Sequence, residues 1–137
     1  MPPADQYVAT TEFYVRYAET DAQGIVHHAS YIVYMEEGRL NYARSLGLDY
    51  AEFERSGFFI TVIGVQARYR APSHYGDLIR VTCWVEELKS RMVTFGYEIT
   101  NAKDNTEYTT GVTEHICLNR AGKPVPWPDE WKAKLDR

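Results

Sequence analysis

The hydrophobic pattern changes character at Gly57. Upstream of it, Thr11 to Ala18 alternates in part, with Phe13, Tyr14, Val15 and Tyr17, and reads as a strand. A tight polar loop, ETDAQG, follows and exits at Gly24. Tyr31 to Leu46 then reads as one long apolar helix, roughly 24 Å at 1.5 Å per residue. Ser30 stands where a hydroxyl can cap the first turn, and Gly47 where a left-handed residue ends the last. Tyr31 to Met35 is apolar all round, which predicts burial on every side. Asp49 to Ser56 reads as a short second helix, with Asp49 as its N-cap and Gly57 as its stop.

Downstream the chain is β-like. Phe58 to Tyr69 is long, β-branched and aromatic, with Thr61, Ile63, Val65, Ala67 and Tyr69 on one expected face. Pro72 and Gly76-Asp77 break it. Leu78 to Glu87 puts Ile79, Val81, Cys83 and Val85 on one side, and Met92 to Thr100 does the same with Val93, Phe95, Tyr97 and Ile99. Tyr108 to Leu118 is the last strand, with Val112, Ile116 and Leu118 as inward candidates. The tail, residues 127–137, starts a helix at Pro128-Asp129-Glu130 and carries Trp127 and Trp131 as packing anchors.

Long strands joined by short turns pair antiparallel. Their sheet needs a cover, and the Tyr31–Leu46 helix is apolar enough to supply it. The pattern therefore predicts an α+β domain over residues 1–137, a curved antiparallel sheet wrapped on one central helix, with residues 1–10 as a loose arm. A single copy would expose both sheet edges, so an obligate oligomer is expected, at least a dimer and in its full form a homotetramer.

Composition narrows the function classes. A net charge of −4 argues against a nucleic-acid surface, which needs clustered positive charge. Cys83 and Cys117 both sit in apolar runs and read as buried reduced thiols. The opening MPPADQY has neither a basic start nor an apolar core, so no signal peptide is expected. No apolar run approaches the ~20 residues that span a bilayer, and a cytoplasmic location is the expectation.

The chemistry concentrates before the long helix. Asp21 precedes a buried helix N-terminus, whose free N–H groups and partial positive charge suit an oxyanion. The same Asp-Ala-x-Gly also makes an ordinary turn, and the spacing alone leaves both open. Asp21, His27, His28, Glu36 and Glu37 are close in sequence, but adjacent histidines lack the i, i+4 spacing of a helical metal pair, so no metal is expected. Glu36 and Arg39, at i and i+3, are expected as a buried structural pair, and Gly38 as the point where another chain comes close. Arg68, Arg70, Lys89, Arg91 and Lys103 stand at strand ends or turns; Arg70 and Arg91 are the first choices for phosphate contacts. Neither a P-loop nor a Rossmann glycine pattern occurs.

Tyr17, Asp21, Gly24, Val26, His28, Ala29, Ser30, Tyr31, Glu36 and Arg39 together resemble the signature of the hotdog-fold acyl-CoA thioesterases. The nearest branch holds 4-hydroxybenzoyl-CoA thioesterase and the Tol-Pal-associated acyl-CoA thioesterases. Tyr69-Arg70-Ala71-Pro72 through Tyr75-Gly76-Asp77 is also similar to that family, and the likeness spans residues 11 to 119. It implies the hotdog fold, with two units joined into one sheet and active sites between subunits. It implies a substrate of acyl-CoA, or of acyl carrier protein in its place, and no cofactor beyond the coenzyme A of that substrate. Asp21 would be nucleophile or general base, and the His28 N–H would polarise the thioester oxygen. Tyr17 and the His28 imidazole would be auxiliaries, with Gly24, Tyr31, Arg70 and Arg91 binding substrate. A hotdog hydratase or dehydratase, and a non-catalytic acyl-CoA-binding module, are the alternatives. The acyl group stays open.

Overall fold

The computed structural model describes residues 2–136; Met1 and Arg137, the outer ends of the expected arm and tail, lie outside them. The elements are β1 (Val8–Tyr14), a 3-10 turn (Tyr17–Glu19), α1 (Ser30–Ser45), α2 (Tyr50–Arg55), β2 (Phe58–Tyr69), β3 (Leu78–Leu88), β4 (Met92–Asn101), β5 (Glu107–Asn119) and α3 (Asp129–Leu135). The strands form one antiparallel sheet in the order β1-β3-β4-β5-β2. It curves around α1, which is the hotdog arrangement. Ile79, Val81, Cys83 and Val85 of β3 and Val93, Phe95, Tyr97 and Ile99 of β4 are all buried beneath the helix, on the faces their alternation predicts.

The first strand differs from its expected bounds. It starts at Val8, inside the expected arm, because its backbone pairs with the edge of β3 from Val8↔Trp84 to Tyr14↔Leu78 whatever its side chains are. It ends at Tyr14 rather than Ala18, and Val15 is tied by its N–H to the Asp77 carbonyl at 2.9 Å.

Helix α1 also departs in four ways. Ala29 is its N-cap, and the Ser30 hydroxyl donates to the Glu19 carbonyl at 3.3 Å instead of capping. Tyr31, Tyr34 and Met35 are buried, but Ile32 and Val33 are exposed, since only one face of the first turns meets the sheet. Gly38 is buried against its own sheet: a Cβ there would lie 2.6 Å from Val81 Cγ1, so the close approach is to β3. Of the Glu36–Arg39 pair, 3.6 Å apart, the Arg39 side chain is mostly covered at 11% exposed and Glu36 is out in solvent. The helix ends as expected: Gly47 has φ of 78°, and the Leu48 N–H reaches back to the Ala43 carbonyl at 2.9 Å. Asp49 caps α2 through Ala51 N–H at 2.9 Å.

Two strands change face. A bulge between Val62 and Gly64 shifts the register of β2 against β5. Val65, Ala67 and Tyr69 share one face as expected, the helix side, but before the bulge that side carries Phe58, Ile60 and Val62, so Thr61 and Ile63 fall on the other. In β5 the buried side is Thr109, Thr113, His115 and Cys117, so Val112, Ile116 and Leu118 lie on the opposite face from the one expected. Cys83 and Cys117 are free and buried. Trp127 and Trp131 close the core beneath α2, with the Trp131 ring 4.4 Å from Phe53.

Candidate active site

The segment between β1 and α1 is held from three sides. At its base, Arg16 N–H donates to Glu19 Oε1 at 2.8 Å, and the Arg16 guanidinium donates to Oε2 at 2.5 and 3.0 Å. Tyr34, reaching back from α1, donates to Oε1 at 2.8 Å. Burial pushes the Glu19 carboxyl up, but these donors outweigh it and hold the group below its ordinary value. The Glu19 carbonyl accepts from the His27 N–H at 2.8 Å, which closes the loop at its neck.

Above the neck is a miniature hairpin, with Thr20 bridged to Val26 and Asp21 at its tip. The Asp21 N–H donates to the Ile25 carbonyl at 2.8 Å, and Gln23 N–H to Asp21 Oδ1 at 2.8 Å. Gly24 takes φ of 80°, a conformation that the turn demands and a side chain resists. Val26 N–H donates to the Ser73 carbonyl at 2.9 Å, which ties the hairpin to the loop after β2. Asp21 is therefore both turn-former and half-buried carboxylate. Among the described residues, its Oδ2 has no hydrogen-bond partner.

The helix mouth is next. Amides 29 to 32 are all used: Ala29 N–H goes to His27 Nδ1 at 3.1 Å, and the next three go to carbonyls three residues back. The His28 N–H has no acceptor among the described residues. The His28 ring stacks on His27, with centroids 4.2 Å apart, and its carbonyl accepts from the Tyr69 hydroxyl at 3.0 Å. Tyr31 is buried, and its hydroxyl shares a 2.5 Å hydrogen bond with Ser73. Burial raises its pKa.

These groups converge on a cavity of about 530 Å³, lined by Asp21, His28, Tyr31, Tyr69, Arg70 and Pro72 among others. Its size falls within the roughly 300–1,000 Å³ of small-molecule sites. A larger cleft of about 620 Å³ lies over β2 and Trp84, but its one carboxylate, Glu86, is already bonded to Trp84 Nε1 at 2.7 Å.

Of the residues expected at the site, Asp21, His28, Tyr31 and Arg70 share the cavity, with Gly24 in the turn beside Asp21. Arg70 is paired with Glu107 at 2.9 Å. Tyr17 is not among them: it is 77% exposed and packs edge-on against Tyr75, with centroids 5.7 Å apart. Arg91 sits in the β3–β4 turn, where its carbonyl accepts from Cys117 N–H at 2.9 Å, outside the cavity lining. Glu19, Tyr69 and Ser73 were not singled out by their sequence positions. Only Tyr69 had a signal, as the first residue of the Tyr-Arg-Ala-Pro segment. No group of three His, Cys, Asp or Glu suited to a metal ion occurs among the described residues.

A family model described as the thioesterase-like superfamily matches residues 15–135. The chain belongs to that superfamily. It is a thioester hydrolase of the hotdog fold. A relative named putative acyl-CoA thioesterase YneP, from Bacillus subtilis, is 36% identical over 120 residues, covering 87% of this chain and 86% of the relative. The acyl-CoA thioesterase YbgC of Haemophilus influenzae is 29% identical over 124 residues, covering 87% and 88%. A DHNA-CoA thioesterase structure from Staphylococcus aureus superposes with a TM-score of 0.89 at 33% identity, covering 93% of this chain and 87% of that one.

Proposed function

We propose that this thioesterase-like enzyme hydrolyses acyl-CoA: R–CO–S–CoA and water give R–COOH and HS–CoA. The observation that carries this is that Asp21 and His28, whose N–H is unused among the described residues, line one cavity at the mouth of α1. A thioester carbonyl seated there donates nothing; it accepts from His28 N–H, and the positive end of α1 favours the oxyanion that forms. Asp21 then either attacks the carbonyl carbon and expels the CoA thiolate, after which the one water hydrolyses the mixed anhydride and its proton goes to the thiolate, or draws the proton from a water that attacks. Tyr31 and Tyr69 wall the cavity, and Arg70 at its edge suits a coenzyme A phosphate. Tyr17 and Arg91 take part only where the ligand, or a second subunit, extends beyond the cavity. An acyl carrier protein presents the same thioester, and a CoA substrate implies work in the cytoplasm. No helix among the described residues is long and apolar enough to cross a membrane.

The active form in this proposal is at least a dimer. The outer edge of β2 is unpaired, and Phe59, Val62, Ile63, Val65 and Tyr69 on it are exposed large hydrophobics. Ile32 and Val33 add an exposed apolar flank on α1. A two-fold axis through the middle of β2 would pair these edges antiparallel and continue the sheet.

The test is a panel of aromatic, short, fatty and polyketide-type acyl-CoAs, with free thiol and free acid both quantified. Equal amounts of the two are expected from the preferred substrate. A hydroxyacyl-CoA product without free thiol, or tight binding with no thiol released over hours, contradicts the proposal.

A further inference from the structure

The His28 N–H belongs to the peptide between His27 and His28, and the peptides on either side of it are held. Before it, the His27 N–H donates to the Glu19 carbonyl at 2.8 Å. After it, the peptide between His28 and Ala29 is held at both polar atoms. Its N–H donates to His27 Nδ1 at 3.1 Å, and its carbonyl accepts from the Tyr69 hydroxyl at 3.0 Å. The helical donor to that carbonyl, Tyr31 N–H, stands off at 3.4 Å, so the Tyr69 bond is the shorter one. The middle peptide accepts from Ser30 N–H at the His27 carbonyl, at 2.9 Å. Of the three peptides, only this middle one has an unused N–H among the described residues.

Both holding side chains are themselves placed. Tyr69 ends β2 opposite Thr109, and the next amide, Arg70 N–H, donates to the Tyr108 carbonyl at 2.8 Å. Its ring packs on Tyr31, with centroids 5.5 Å apart. The His27 ring lies against the His28 ring at 4.2 Å, with 27° between the planes. An amide N–H only donates, so His27 Nδ1 supplies a lone pair and the neutral ring keeps its proton on Nε2. Nδ1 is bonded to Cγ, as the Oδ1 of Asp or Asn is. The His27 bond therefore copies an Asx turn, in which a side chain accepts from the N–H two residues on. The chain makes that turn at Asp21, from Gln23 N–H at 2.8 Å, and at Asn101, from Lys103 N–H at 2.8 Å.

We propose that His27 and Tyr69 are positioning residues for the reaction: together they fix the peptide that follows the His28 N–H, and so keep that donor aimed at the thioester oxygen. The proposal rests on the thioesterase reading and on the role that reading gives to the His28 N–H. His27 acts from outside the cavity lining, through the backbone alone. Tyr69 acts from the cavity wall, through its hydroxyl. A donor held in place matters more to the oxyanion than to the neutral carbonyl that precedes it, because the negative charge is what it stabilises. Loosening the peptide is therefore read in kcat, with KM little changed.

The experiment is steady-state hydrolysis of the preferred acyl-CoA by wild type, His27→Phe, His27→Asn, Tyr69→Phe and the double variant His27→Phe/Tyr69→Phe, with urea midpoints for each. Phenylalanine at 27 keeps a ring against His28 and removes the acceptor. Asparagine there discards the ring and keeps an acceptor for Ala29 N–H. In His27→Phe and in Tyr69→Phe, kcat is expected to fall roughly tenfold with KM within about twofold of wild type. In His27→Asn, kcat stays within about twofold of wild type. The double variant falls by less than the roughly hundredfold product, because both bonds hold one peptide. Full kcat in either single phenylalanine variant overturns the proposal, as does a loss carried by KM alone. So does a His27→Asn protein as slow as His27→Phe, or single losses that multiply in the double variant. If His27→Phe does not fold, Tyr69→Phe and His27→Asn decide: full kcat in the first, or a tenfold loss in the second, overturns it. With an active wild type, all these outcomes bear on this proposal alone. A wild type that releases no thiol from any acyl-CoA overturns the thioesterase reading, and this proposal with it.

Discussion

Glu19 stands two residues before Asp21, and nothing about its type or spacing marks it out in the sequence. Its role appears only when Tyr34, fifteen residues on, returns beside it and donates to the same carboxylate that Arg16 grips. Asp21 and His28 were legible because they belong to a motif contiguous in sequence. Glu19 was not, because its partners are set by packing. Its folded-state pKa lies below the ordinary 4.5, since burial, which opposes this, is outweighed by the Arg16 and Tyr34 donors. A depressed carboxylate pKa contributes stability that is full above the unfolded-state value and is lost as pH falls through the folded one. Glu19→Gln is thus expected to lose about 1–2 kcal/mol at pH 7, with the gap from wild type closing below about pH 4.5. Urea unfolding midpoints at pH 7 and pH 3.5 check it; a gap independent of pH contradicts the ion-pair role.

At the scale of elements, β3 and β4 were readable because both are central, and their inner faces are unbroken apolar alternations. β2 and β5 were not. The bulge at Val62/Gly64 inverts the parity of β2 midway, and a bulge has no mark in an alternation of similar residues. β5 turns Gly111, Thr113 and His115 toward the helix, so the polar side of its pattern is the buried one. Those positions are small or polar for reasons the alternation does not contain: Gly111 admits Met35, and Thr113 bonds to both Tyr97 and His115. Gly38 follows the same logic, since it lets α1 settle onto Val81. Gly38→Ala gains about 1 kcal/mol of helix propensity and loses about 1–3 kcal/mol to the clash. A net loss of about 1 kcal/mol is expected, seen as a lower urea midpoint, and Val81→Ala in the same background should recover part of it. A stabilised Gly38→Ala protein contradicts the close packing of helix on sheet.

The whole molecule shows why the fold was easier to read than its site. One long apolar helix and four long strands have few arrangements that bury all their faces, and the sheet wrapped on α1 is one. The site depends on shorter-range facts: which amide at the helix mouth is left unbonded, and which aromatic of β2 reaches the His28 carbonyl. In the proposed dimer its far wall is set by the free edge of β2, which the sequence shows as an apolar strand without showing that it lies outermost. Tyr17 and Arg91 illustrate the limit, because their motif positions do not bring them into the cavity of a single chain.

The central claim is that the Asp21 carboxylate performs the chemistry at this mouth. Its most direct test is the steady-state hydrolysis of the preferred acyl-CoA by wild type and Asp21→Asn, with unfolding midpoints confirming that both are folded. Asparagine keeps the turn geometry and the acceptor for Gln23 N–H, and removes the charge and the basicity. A fall in kcat of about 10²–10⁴-fold with KM little changed is the predicted result. Equal kcat in the two proteins would contradict it and take Asp21 out of the mechanism.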